Sequence, residues 1–130
     1  MDRSDRGAAV VETAIAIVLF MLLIFGIIEF GRGWFLSNLL NQSVRSAARL
    51  AAVKPNLAQN DKAVLQRIDD LLKAGGLSAE SRSLTFVPPL QTGGLVRIMA
   101  DMKFMPIVAP WAGGKVTIPL HAEVVTRYEM

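Results

Sequence analysis

The first apolar stretch of the chain is almost unbroken. From Ala8 to Ile28 it reads AAVVETAIAIVLFMLLIFGII, with Glu12 its only charge and Thr13 its only neutral polar side chain. Twenty-one residues at helical rise cover about 30 Å, the thickness of a bilayer's hydrocarbon core. A chain of 130 residues is too short to enclose such a helix on all sides, so the stretch predicts a membrane span. Glu29, Arg32 and Trp34 follow it, and their chemistry suits the membrane–water interface. Glu29 and Arg32 stand three apart, within reach of each other on a helix. Apolar residues then recur near helical spacing at Trp34, Phe35, Leu39, Leu40, Val44, Ala47, Ala48 and Ala51. Lys54-Pro55 ends the run, because a proline pushes the residue before it out of helical geometry. One helix from Ala8 to Val53 is expected, with Gly31 and Gly33 as points where it could soften.

The remainder alternates between the two periods. Val64, Leu65, Ile68, Leu71 and Leu72 make one apolar stripe, with Asn60 placed to cap the helix and Gly75-Gly76 to end it. Three strand-like runs follow: Ser83–Val87, Leu95–Met105 and Lys115–Tyr128. In the second, Val96, Ile98, Ala100, Met102 and Phe104 share a face; in the third, Val116, Ile118, Leu120, Ala122, Val124 and Tyr128 do. Ala109 to Gly114 reads as the turn of an antiparallel hairpin. Pro119 has no N–H to give to a ladder, which makes the last strand an edge. The expected fold is α+β: a long N-terminal membrane-spanning helix, then a small head with one amphipathic helix packed on an antiparallel sheet. The expected divisions are a span continuing into an amphipathic stalk over 8–54 and the head over 55–130, with residues 1–7 preceding the span.

Composition removes whole classes of function. Hydrophobic residues are 52% of the chain and charged residues 19%, and the net charge of +3 is scattered rather than gathered into a basic stripe. Nucleic-acid binding is therefore not expected. Without cysteine there are neither disulfides nor thiolate metal ligands, and His121, the single histidine, falls on the polar face of its strand as a surface side chain. Asp69 and Asp70 are neighbours on a helix and point in different directions, as solvated residues do. The glycine pairs sit at turns and cradle no phosphate, and no serine or threonine has a nucleophile's surroundings. No enzyme, cofactor, metal or small-molecule substrate is expected.

A removable secretory signal needs a short apolar core and a small-x-small cleavage site. Here the apolar run is long and passes directly into Glu29-Phe30-Gly31-Arg32, so the span is expected to be retained. Charge does not orient it: Arg3 and Arg6 lie before the span, Arg32 and Arg45 after it.

Two stretches carry a family likeness. One is Arg6-Gly7-Ala8-Ala9-Val10-Val11-Glu12 with the apolar run, Glu29-Phe30-Gly31-Arg32, Ser46-Ala47-Ala48-Arg49 and Ala51-Ala52. The other is the closing Ala122-Glu123-Val124-Val125-Thr126-Arg127-Tyr128-Glu129. Together they resemble the TadE-like family, minor pilins or pseudopilins of tight-adherence (Flp-type) pilus systems. The resemblance implies a short hydrophilic leader cut by a prepilin peptidase between Gly7 and Ala8, with Glu12 the fifth residue of the mature chain. The peptidase acts from the cytoplasmic side. The N-terminus would then lie in the cytoplasm, the span in the cytoplasmic (inner) membrane and the head outside. The implied partners are the bilayer, the peptidase, other pilin subunits and the inner-membrane assembly platform.

Glu12 has two readings. A carboxylate within a span costs roughly 2.5 to 3.5 kcal/mol at the centre and less near an end, so from one turn inside the span it could simply reach the headgroups. The functional reading pairs it with an α-amino group, its own or a neighbouring subunit's, freed by removal of the leader. The whole chain likewise has two: a pilin-like structural subunit used in adhesion and surface attachment, or a signal-anchored protein whose head binds an envelope partner without polymerising.

Overall fold

The computed structural model describes residues 3–86, 91–107 and 116–129, with side chains from residue 7 onward. The first helix, α1, runs over Arg3–Val53, 51 residues without interruption. It starts before Ala8, since nothing between Arg3 and Gly7 opposes helical geometry, and it passes through Gly31 and Gly33. It stops at Val53, where Lys54-Pro55 requires it to. The chain forms two compact units, Met1–Gly33 and Trp34–Met130.

In the first unit every apolar side chain from Val10 to Phe20 is exposed. Among the described residues this is the helix long and apolar enough to cross a membrane, and none of its most apolar stretch is buried within the protein. Such a surface has no stable place in water and needs lipid or other helices against it. Thr13 satisfies its hydroxyl within the helix by donating to the Ala9 carbonyl at 2.8 Å, so it adds no unmet polar group to the span.

The second unit is an α+β head. It contains the C-terminal part of α1, a helix α2 over Lys62–Ala74, and strands β1 (Ser81–Phe86), β2 (Leu95–Phe104) and β3 (Ile118–Arg127). The strands form one antiparallel sheet in the order β1-β2-β3. The paired faces of Leu95–Met105 and Lys115–Tyr128 are found antiparallel as expected, and Pro119 does lie on an edge strand, opposite Lys103. The expected turn over Ala109–Gly114 lies outside the described residues.

Burial follows the pleat. Val96, Ile98, Ala100, Met102 and Phe104 are buried along β2, and Leu84 and Ala122 oppose Ile98 and Ala100 on the neighbouring strands. Val64, Ile68 and Leu72 of α2 close over this face, as the stripe predicted. They do not close it alone. Leu40, Val44, Ala47, Ala48 and Ala51 of α1 are in the same core, and the three alanines there take up little of the space between helix and sheet.

Two expectations are corrected. The cap of α2 is Asp61, not Asn60: the Asp61 carboxylate accepts from Ala63 N at 3.0 Å and from Val64 N at 3.4 Å. Asn60 turns in a left-handed conformation, φ 52°, and hydrogen-bonds Leu84 instead. Ile118 carries the correct parity but is 44% exposed, because it stands at the end of an edge strand with no neighbour on its outer flank. Val116, outside β3, is exposed as well. The C-terminus of α2 is closed by glycine as expected. Gly76 at φ +73° donates to Lys73 O, and Leu77 donates to Leu72 O, the paired bonds of a Schellman ending.

Candidate functional site

The N-terminal segment is built by α1 alone. Gly7 and Ala8 are both helical and exposed, and beyond its chain neighbours and its own helix's backbone nothing lies within 4 Å of the position a Cβ on Gly7 would take. Glu12 lies one turn beyond Ala8, on the same face. Ala8 and Ala16, one turn to either side, leave a shallow apolar depression beside Glu12, bordered by Ile15 and Leu19. Glu12 is exposed and has no partner among the described residues. The arrangement presents one acidic group from an apolar helix face that is free to meet another helix.

At the other end of the span, Arg32 donates to Glu29 at 3.0 Å. This is the i,i+3 pair that the spacing suggested, and it mutually neutralises two charges next to apolar surface. Trp34 is 65% exposed and Phe35 is exposed too, so neither joins the core that begins at Leu36 and Leu39. Asn38 and Asn41 donate back to the carbonyls of Trp34 and Ser37, and the buried Ser43 donates to Leu40 O. The polar residues of this stretch are thus satisfied by the helix that carries them.

The head has its own electrostatics, which spacing along the chain did not reveal. On the outer face of the sheet, Ser81, Asp101 and His121 form a row across three strands. Ser81 donates to one Asp101 oxygen at 2.6 Å, and His121 Nδ1 stands 2.6 Å from the other. The Ser81 hydrogen bond, then that of His121, holds the Asp101 carboxyl below the usual carboxylate range. Asp101 in turn raises the His121 imidazole, with Glu123 adding a smaller push. The carboxylate sits between hydroxyl and imidazole, so His121 cannot take the Ser81 proton and no nucleophile is activated. The row is structural. Among the described residues no group of acidic or histidine side chains is arranged to hold a metal.

A second ion pair joins the two helices' ends. Lys54, just past α1, hydrogen-bonds the cap residue Asp61. That bond is the largest influence holding the Asp61 carboxyl below its ordinary value, and the α2 amides add to it. The sequence contained this signal only as a cap-type residue beside another.

The family model of TadE-like protein matches residues 7–49, from the glycine before the span to Arg49 on the head's part of α1. This is the family resemblance read from the sequence, now carried by about a third of the chain. That family is a structural one associated with tight-adherence pili. No curated protein and no solved structure matches the chain.

Proposed function

We propose that this chain is a minor pilin- or pseudopilin-like structural subunit that takes part in assembling a tight-adherence, type IV-like pilus used in surface attachment. The observation that carries the reading is the TadE-like match beginning at Gly7 and lying along a helix whose most apolar stretch is uncovered within the protein. In this reading the helix waits in the cytoplasmic membrane with its N-terminus in the cytoplasm and the head outside, and later exchanges lipid for the helices of neighbouring subunits.

A prepilin peptidase cuts between Gly7 and Ala8. The bond is helical before the cut, so the first turns must unwind to enter the enzyme; helix ends fray at little cost, and Gly7 has no packing to lose. The cut creates a cationic α-amino group on Ala8, one turn from Glu12. In a lipid-like surrounding a bare carboxylate is costly, and an amine from its own or an adjacent chain relieves that cost. Glu12 thereby favours the assembled arrangement over a lone helix. Glu29, Arg32 and Trp34 hold the other end of the span at the headgroups.

The test is Glu12→Ala in the full chain. Insertion becomes easier without the charge, so its level in the membrane should hold or rise, while its co-purification with the other pilus subunits falls. Unchanged membrane level with unchanged co-assembly would leave Glu12 a headgroup-facing residue and remove the support it gives to this function.

A further inference from the structure

The two edges of the sheet are treated differently. Along β1, the outward groups of Leu84 and the Phe86 carbonyl are met: Asn60 N donates to Leu84 O at 3.1 Å, Leu84 N donates to Asn60 Oδ1 at 3.0 Å, and Gln59 Nε2 donates to Phe86 O at 2.9 Å. From Leu84 to Phe86 that edge is already occupied. Along β3, no hydrogen bond from the rest of the protein reaches the outer edge among the described residues; Pro119 guards its start, and the charged Glu123 and Arg127 flank an uncharged stretch between them. Native proteins normally blunt an open edge with charge, proline or a covering segment. Here the segment Val124-Val125-Thr126 has none of these.

A groove of about 670 Å³ runs beside that segment. The last residues of the chain pin β3 to α1, Glu129 N donating to Ala52 O at 2.9 Å, and between Leu39 and Arg49 the strand and helix leave open space. Leu39, Ala48 and Leu71 give it an apolar floor, and Arg45 and Arg49, one turn apart, stand on its rim. Both arginines are exposed and neither has an ion-pair partner among the described residues. No acidic residue lines the groove.

From this we propose that the groove takes an extended, acid-bearing segment of another protein, which adds to β3 as a fourth strand with its carboxylates facing Arg45 and Arg49. Main-chain hydrogen bonds supply the register, as in other cases of strand addition, and the two arginines select the charge. A phosphate headgroup would satisfy the arginines but leave the row of edge amides and carbonyls unmet; a strand satisfies both. A second copy pairing through β3 would bring Arg45 and Arg49 no carboxylate from the Val124–Thr126 segment. The proposal concerns the head alone and stands whether or not the chain enters a pilus.

The test uses the full chain in detergent micelles and a short fluorescent peptide of alternating valine and glutamate, with the valine–lysine peptide as comparison. The glutamate peptide should bind, and the amides of Val124 to Thr126 should exchange more slowly with solvent when it does. Arg45→Glu with Arg49→Glu should weaken binding about tenfold or more, without change in the circular dichroism of the head. Methylating alternate amide nitrogens of the peptide should abolish binding for one of the two phases and spare the other, a readout that leaves the protein untouched. Equal binding of both peptides, or binding that both N-methylated phases retain, overturns the proposal. So does displacement of the peptide by glycerol phosphate with no protection of β3, which would reduce the site to a basic patch.

Discussion

The Tyr128 hydroxyl donates a 3.0 Å hydrogen bond to the backbone carbonyl of Lys54, 74 residues earlier in the chain. The carbonyl is one of those left unpaired where α1 stops, and the tyrosine ring is itself nearly buried. One side chain therefore caps a helix end and fastens the end of the last strand to it. Tyr128→Phe keeps the ring and removes the donor, so it should cost about 1 kcal/mol, up to 3 if the carbonyl finds no water. Denaturant unfolding of the full chain in micelles measures this; an unchanged midpoint would show that the bond is replaced by solvent without loss.

The sheet's inner face gives a paired prediction. Ile98 is completely buried and opposed by Leu84 and Val124, so Ile98→Asp places an unpartnered charge in the core and should prevent stable folding of the head. Ile118→Asp, on the same face, should cost within about 1 kcal/mol because its side chain already meets solvent. Equal damage from the two changes would mean that Ile118 is covered after all.

Parity along a strand was legible and end effects were not. Alternation in Leu95–Phe104 and the stripe Val64–Ile68–Leu72 identified the faces that form the core, since period alone fixes them. The exposure of Ile118 depends on strand order, which no local pattern contains. Asn60 and Asp61 are both cap-type residues, and the choice between them was made by Leu84, a partner 24 residues from Asn60. The alanines of α1 read as one apolar face of a continuing helix, yet their place beneath the sheet is a tertiary fact. In the same way the Ser81–Asp101–His121 row needed the register of three strands. The span was readable directly, because an apolar run of that length is conspicuous without any fold.

Acid should loosen the start of α2. The Asp61 carboxyl is held below its ordinary value by Lys54 and the helix amides. A depressed folded-state value contributes stability that is fully present above the unfolded value, about 3.9, and is lost as pH falls through the folded one. Asp61→Ala should cost about 1 kcal/mol near neutral pH, and the difference from the unmodified chain should shrink below about pH 4. A difference that persists undiminished in strong acid would mean that ionisation of Asp61 is not what stabilises the cap.

For His121 the sign is opposite. Asp101 raises its folded-state value, so the pair contributes while the imidazole is charged, below its unfolded value of about 6.5, and the contribution is lost as pH rises through the folded value. At the acid end Asp101, itself held low, limits the window. The imidazole resonances should titrate above 6.5, and Asp101→Asn should bring the midpoint back toward it. A midpoint indifferent to that change would assign the shift elsewhere.

The central claim, a pilin-type subunit, is tested most directly by the mature N-terminus. Intact-mass and N-terminal peptide analysis of the chain isolated from membranes of cells making the full secretion apparatus should find Ala8 as the first residue, with Glu12 fifth. Loss of the peptidase should restore residues 1–7. A membrane-resident chain that still begins at Met1 in those cells would contradict the account and leave an anchored protein whose head acts without polymerising.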